Sequence, residues 1–174
     1  LTVNDSGTTT FGGIVGGTTA LTSITTNAPG TTAINGTAIT TTGAQTYNDA
    51  VTLAADDVLT GVNVTFASTV NGAKNLTVND SGTTTFSAVV GGTTALTSVT
   101  TDAAGATQLN GGVITTTAAQ TYNDAVTLGV DTTLNGVNVT LASTVNGAKN
   151  LTVNDSGTTT FGGVVGGTTA LTSV

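Results

Sequence analysis

Apolar and polar positions alternate along this chain in short runs broken by Gly, Asn and Asp. In "VNVTFAST" (62–69), Val62, Val64 and Phe66 share one face while Asn63 and Thr65 take the other. A period of two is the mark of a β-strand. The same alternation opens three further stretches, "LTV" (1–3), "ITT" (24–26) and "VTL" (51–53). Each is followed by a turn group: "NDSG", "NAPG" or "AADD". A second run then ends in a hydrophobe, a spacer and Gly: "TTTFGG", "TTAING" or "DVLTG". Asn, Asp and Gly suit such corners because they tolerate positive φ or bond their own backbone. The pattern predicts short strands joined by sharp turns, and no helix.

The runs repeat on two scales. "LTVNDSGTTTF" begins at Leu1, Leu76 and Leu151, at even intervals of 75 positions. Residues 1–75 and 76–150 agree at 57 of 75 positions, and residues 151–174 agree with 1–24 at 22 of 24. The chain therefore divides into a first repeat (1–75), a second (76–150) and a partial third (151–174). Within each repeat a shorter period aligns residues 1–13 with 24–36 and, in part, with 51–61. Three such units of about 25 residues would make one repeat.

A unit of three short strands cannot bury its own inner face; a neighbour stacked at the ~4.8 Å strand spacing can. The sequence thus predicts an all-β protein, a β-solenoid (parallel β-helix) with about 25 residues per coil and three coils per 75-residue repeat. It would be one continuous rod of about seven coils. Two interior columns are expected. One holds Phe11, Ile34, Leu59, Phe86, Leu109, Leu134 and Phe161; the other holds Leu1, Ile24, Val51, Leu76, Val99, Val126 and Leu151. Differences between copies fit this: Ile24 against Val99, Ile34 against Leu109 and Phe66 against Leu141 all stay apolar. The competing architecture is a string of small β-sandwich stalk domains, one per repeat. Sandwiches of the immunoglobulin type use about 100 residues around a bulky core, which a shorter repeat without Trp matches poorly.

Composition narrows the class. Hydrophobic residues are 37% and the net charge of −7 rests on nine acids, so the low hydrophobicity of a disordered chain is missing. Charged residues are only 6%; Thr, Asn and Ser must cover the surface. Two basic residues cannot neutralise a phosphate backbone, so nucleic acid is not an expected partner. No stretch approaches the ~20 apolar residues of a membrane helix. There is no Cys and hence no disulfide or thiolate metal site. The chain does not open on Met and ends partway through a repeat, so it reads as an excerpt of a longer polypeptide.

Stretches such as "TTTGAQTYNDAVTL" (40–53), "VNVTFASTVNGAKNLTVN" (62–79) and "GTTTFGG" (7–13) resemble repeats of very large bacterial surface adhesins. These are of the filamentous-haemagglutinin-like and autotransporter-passenger type. The resemblance implies a β-helical rod, exported to the cell surface or extracellular space, acting in adhesion, biofilm matrix or a surface coat. Its partners would be neighbouring copies of itself or flanking repeats, and a host or matrix surface.

Candidate chemistry is sparse. Without His or Cys, Ser–His–Asp and Cys–His nucleophiles are excluded, and the chain reads as non-enzymatic with no resident cofactor. The only Lys, Lys74 and Lys149, sit at equivalent points in "NGAKN", where a solvated loop residue near an acid is the plain reading. Acids fall at Asp5, Asp80 and Asp155, at Asp49 and Asp124, and at Asp56–Asp57. Turn formation is their ordinary role; the alternative is a calcium ion between Asp49 and Asp56 or Asp57. Calcium needs six to eight oxygens, and the second repeat puts Thr132 where the first has Asp57. "GGIVGG" (12–17) reads as a corner, since no Lys follows it as in a phosphate loop. Tyr47 and Tyr122, in "AQTYNDA", either pack a corner or offer an exposed aromatic contact. The Thr runs at 8–10, 40–42 and 115–117 raise a second functional class, a Thr-lined solenoid face binding ice or carbohydrate. The regular T-x-T array this needs is interrupted where "VTL" replaces "ITT".

Overall fold

The computed structural model describes residues 1–174. β-branched residues alternating with small polar ones build 22 short strands and no helix, and every strand pairing is parallel. The chain winds as a β-solenoid of eight turns, three edges to a turn, so the sandwich alternative falls. The first face stacks Thr2–Val3, Ile24–Thr26, Gln45–Tyr47, Val64–Phe66, Thr83–Phe86, Ala106–Leu109, Ala125–Leu128 and Val145–Asn146. The second stacks Thr8–Phe11, Thr31–Ile34, Ala50–Leu53, Val70–Asn71, the single bridging residue Val90, Val113–Thr115, Thr132–Gly136 and Leu151–Asp155. The third begins at the bridge of Val15 and continues through Ala38–Thr40, Asp57–Gly61, Asn75–Asp80, Ser98–Thr101, Gln120–Tyr122, Val139–Leu141 and Thr160–Phe161. Seven steps of ~4.8 Å give a rod about 34 Å long.

The turn is shorter than the sequence period suggests. Along the first face Thr2 lies against Thr25, Thr25 against Thr46, Thr46 against Thr65, and Thr65 against Thr85. Successive turns therefore advance the numbering by 23, 21, 19 and 20, not by 25. One repeat, from Leu1 to the start of the strand at Asn75, holds eleven edges, which is three and two-thirds turns rather than three. Each copy thus starts two-thirds of a turn away from the last. Val3 lies on the first face, Val78 on the third and Val153 on the second. Because the faces are interchangeable edges with mostly apolar residues turned inward, one sequence fits all three.

The expected interior columns are corrected accordingly. Phe11 does stack on Ile34, but Ile34 continues to Leu53. Leu59 belongs to the third face, between Ile39 and Val78. Phe86 pairs with Leu109, Leu134 with Ile114 and Phe161 with Leu141. In the other column, Leu76 meets Val99, yet Ile24 meets Gln45, Val51 meets Val70 and Leu151 meets Thr132. The residues named are still mostly interior ones, and 27 buried hydrophobics form one continuous core. On the first face Tyr47, Phe66 and Phe86 stack as three rings, with centroids 5.4 and 5.3 Å apart and near-parallel planes.

Candidate functional site

Two sets of side chains are organised enough to act: outward Thr columns on the faces and polar clamps at the corners. On the first face the outward position is Thr at 2, 25, 46, 65 and 85, then Gln108, Thr127 and Asn146. On the third face it is Thr at 77, 100, 121, 140 and 160. Parallel pairing places these directly over one another at the ~4.8 Å strand spacing. Beside the first column runs an amide ladder in which Asn27 donates to Asn4 and Asn48 donates to Asn27. Such a strip is uncharged, and it offers methyls and hydroxyls at a fixed interval. The runs at 8–10, 40–42 and 115–117 do not stack on each other. The middle residues of the latter two, Thr41 and Thr116, turn inward and donate to the carbonyls of Gly43 and Ala118.

At the corners, Asp80 binds the turn before it. Its carboxylate accepts from the N–H of Asn63 (2.7 Å) and of Val64 (2.8 Å), from Gly82 N–H (2.8 Å) and from the Thr84 hydroxyl (3.2 Å). Asp155 repeats this with Asn138, Val139, Gly157 and Thr159. The N–H groups of Val139, Gly157 and Asn138, with the Thr159 hydroxyl, hold its carboxyl below the usual carboxylate range. Asn63 and Asn138 adopt φ of 62° and 61°, which Asn tolerates better than most residues. Their side-chain oxygens accept from Thr83 and Thr158 N–H. Asn71 and Asn146 do the same for the protruding Thr loops, each accepting from two consecutive N–H groups, of Thr93–Thr94 and Thr168–Thr169.

The calcium candidates Asp49, Asp56 and Asp57 do not converge: the first two bond separate partners and the third has none. Asp49 is buried and accepts from the hydroxyls of Thr26 (2.6 Å) and Thr32 (2.8 Å). Asp124 does likewise with Thr101 and Thr107, though burial outweighs these donors and raises its carboxyl. Asp56 is exposed and accepts from the Asn75 N–H at 2.9 Å. Asn75, and secondarily the charge of Lys74, keep its carboxyl low; Asn150 and Lys149 act in the same way on Asp131. The lysines thus lie near an acid of the adjacent turn. Asp57 points into the core with neither oxygen bonded. No three acids converge on one point.

Tyr47 and Tyr122 are interior residues, fully buried. Each hydroxyl donates to the side-chain oxygen of a buried Gln two residues earlier, Gln45 at 2.9 Å and Gln120 at 3.1 Å. The Gln amides in turn donate to the carbonyls of Thr60 and Asn135, both at 2.9 Å. These glutamines are not legible as core in the sequence, because a polar residue in "AQTYNDA" reads as a loop. A polar cleft lined by Asn4, Asp5, Ser6, Asn27, Ala28 and Pro29 lies at the first two turns. Comparison with protein-family models, curated proteins and solved structures finds no match to this chain.

Proposed function

We propose that this chain is a structural rod segment of an exported bacterial surface protein, serving adhesion, a biofilm matrix or a surface coat. The observation that carries the reading is the winding of three and two-thirds turns per repeat. Each copy presents the same loops and Thr positions on a different side of the rod, about 18 Å further along. Identical groups displayed all round a shaft favour multivalent engagement, in which many weak contacts add up. The repeated polar pairs Asp80 and Asp155, Asn63 and Asn138, and Asn71 and Asn146 are engaged in joining turns. Side chains spent on holding the shaft together suit a shaft. The winding accepts further repeats, or neighbouring copies, without a change of cross-section.

Two experiments test this. Electron micrographs of arrays with three, six and nine repeats should show rods that lengthen by about 18 Å per repeat; compact particles contradict the shaft. Deletion of the repeats in the source organism should weaken surface attachment or matrix cohesion. Cells that attach and cohere as before contradict the role.

A second reading has its own observation, the unbroken outward columns of five Thr on the first and third faces. The "VTL" that interrupts the T-x-T pattern in the sequence lies on the second face, outside both columns. A flat hydroxyl strip of this kind fits an ordered polar surface such as ice or a polysaccharide. Thermal hysteresis, or retention on insoluble glycans, lost on Thr46→Val/Thr65→Val, supports it; no activity in either assay removes it.

A further inference from the structure

The two full repeats differ at one interior position in a way that changes its chemistry. Asp57 and Thr132 are equivalent, and both are buried, at 1% and 2% exposure. Thr132 satisfies its hydroxyl by donating to the Val130 carbonyl at 2.9 Å. Asp57 has no such solution: both carboxylate oxygens are buried without a hydrogen-bond partner. It stands in an inward row whose next members are Leu76, Val99 and Gln120.

No base faces it. Its chain neighbour Asp56 turns outward onto Asn75. The strand before it on the third face, Ala38–Thr40, carries no ionisable group. The strand after it, Asn75–Asp80, carries Asp80 at its far end, over Gly61. Lys74 precedes that strand, where its charge lowers Asp56. Across the interior is Tyr47, a phenol kept neutral by its burial and whose hydroxyl is committed to Gln45. A protonated carboxyl is tolerable here, whereas a carboxylate lacks both donors and water.

We propose that Asp57 makes the first repeat a proton-operated weak point: the turn through Asp57–Gly61 is closed while the carboxyl is protonated and loosens when it ionises, whereas the second repeat, with Thr132, does not respond. Burial, with a smaller contribution from Asp56, pushes the Asp57 carboxyl up to about 7, against an ordinary value near 4 in the unfolded chain. The sign follows from linkage. A carboxyl raised on folding favours the folded state in acid, and the advantage is lost as pH rises through the folded value. The window runs from about pH 4 to about pH 7. Opening this turn would unpair the strand edges at Ile39 and Val78, exposing sites for proteolysis or for another chain's strand.

The test is amide hydrogen exchange on the intact chain between pH 5 and pH 9. The readout is the opening constant of Val58–Gly61 divided by that of the equivalent Thr133–Gly136, which cancels the intrinsic pH dependence of exchange. In the wild type the ratio should rise by up to about tenfold per pH unit between pH 5 and 7, then level off. Asp57→Thr, which installs the residue the second repeat already accommodates, should make it flat. Thr132→Asp should pass the response to the second repeat. A flat wild-type ratio, or a slope that survives in Asp57→Thr, overturns the proposal.

Discussion

Replacing Phe66 isolates what the interior stack contributes. Its ring is 1% exposed and lies between Tyr47 and Phe86, both parallel to it at about 5.3–5.4 Å. Phe66→Ala removes a whole buried side chain and leaves a cavity that rigid neighbouring turns cannot fill; such changes cost about 3–5 kcal/mol. Phe66→Leu is gentler, because Leu141 fills the equivalent place in the second repeat. It keeps most of the apolar volume but forfeits two ring contacts of about 0.5–1.5 kcal/mol each. The expected loss is about 1–3 kcal/mol, read from urea unfolding followed by circular dichroism. A double-mutant cycle with Tyr47→Leu should return a coupling of about 0.5–1.5 kcal/mol. With turns of the length read from the sequence, Phe66 would lie over Thr41 and Gly91, and the rings would be uncoupled. A coupling near zero, or Phe66→Leu as damaging as Phe66→Ala, refutes the reasoning.

Other perturbations separate the clamps from the surface. Asp80→Ala strands the N–H groups of Asn63 and Val64 and should cost about 3 kcal/mol or more. Asp5→Ala, at an equivalent residue with only the Gly7 N–H on its carboxylate, should cost well under about 1 kcal/mol in the same unfolding assay. Gln45→Leu should destabilise by about 1–3 kcal/mol, because the Tyr47 hydroxyl loses its buried partner while the Thr60 carbonyl keeps the Thr41 N–H. The Asp155 carboxyl, held low in the fold, contributes stability above its ordinary pKa that is lost as pH falls through the lowered one. Asp155→Asn should therefore flatten the acid limb of the melting midpoint against pH. Since Asp49 and Asp56 bond separate partners, Asp57 has none, and no three acids converge, millimolar calcium should leave the calorimetric melting midpoint unchanged.

Fold class is legible because alternation and repetition are local signals. Val62, Val64 and Phe66, "LTV" and "TTTF" declare strands without reference to anything distant, and an exact long period declares stacking. Winding is not legible, because turn length depends on which edges count. "AQTYNDA" holds an edge, Gln45–Tyr47, that reads as an insert because Gln, Asn and Asp suggest solvent. "VTL" opens a new unit in the sequence, yet it completes the second face over "TTAI". Miscounting those edges turns three and two-thirds turns into three. The first aligned pair of units, 1–13 against 24–36, is a true turn, so the false period begins with a correct step. The corner carboxylates are visible as turn formers. Their grip on the preceding turn is not, because Asn63 and Asp80 meet only once turn length is known. Nor does the sequence show that Asp57 faces inward, since a pair of acids ordinarily marks a wet surface.

The winding can be measured directly, because the chain has no cysteine to compete with introduced ones. Nitroxides at Thr46→Cys and Thr65→Cys, one turn apart and opposite each other on the first face, should show strong dipolar broadening at the ~4.8 Å strand spacing. The pair Thr40→Cys and Thr65→Cys has the longer separation that the sequence period suggests, and it is divided between the third and first faces; it should show distinctly weaker broadening. Broadening in the second pair and not in the first would contradict the shorter winding.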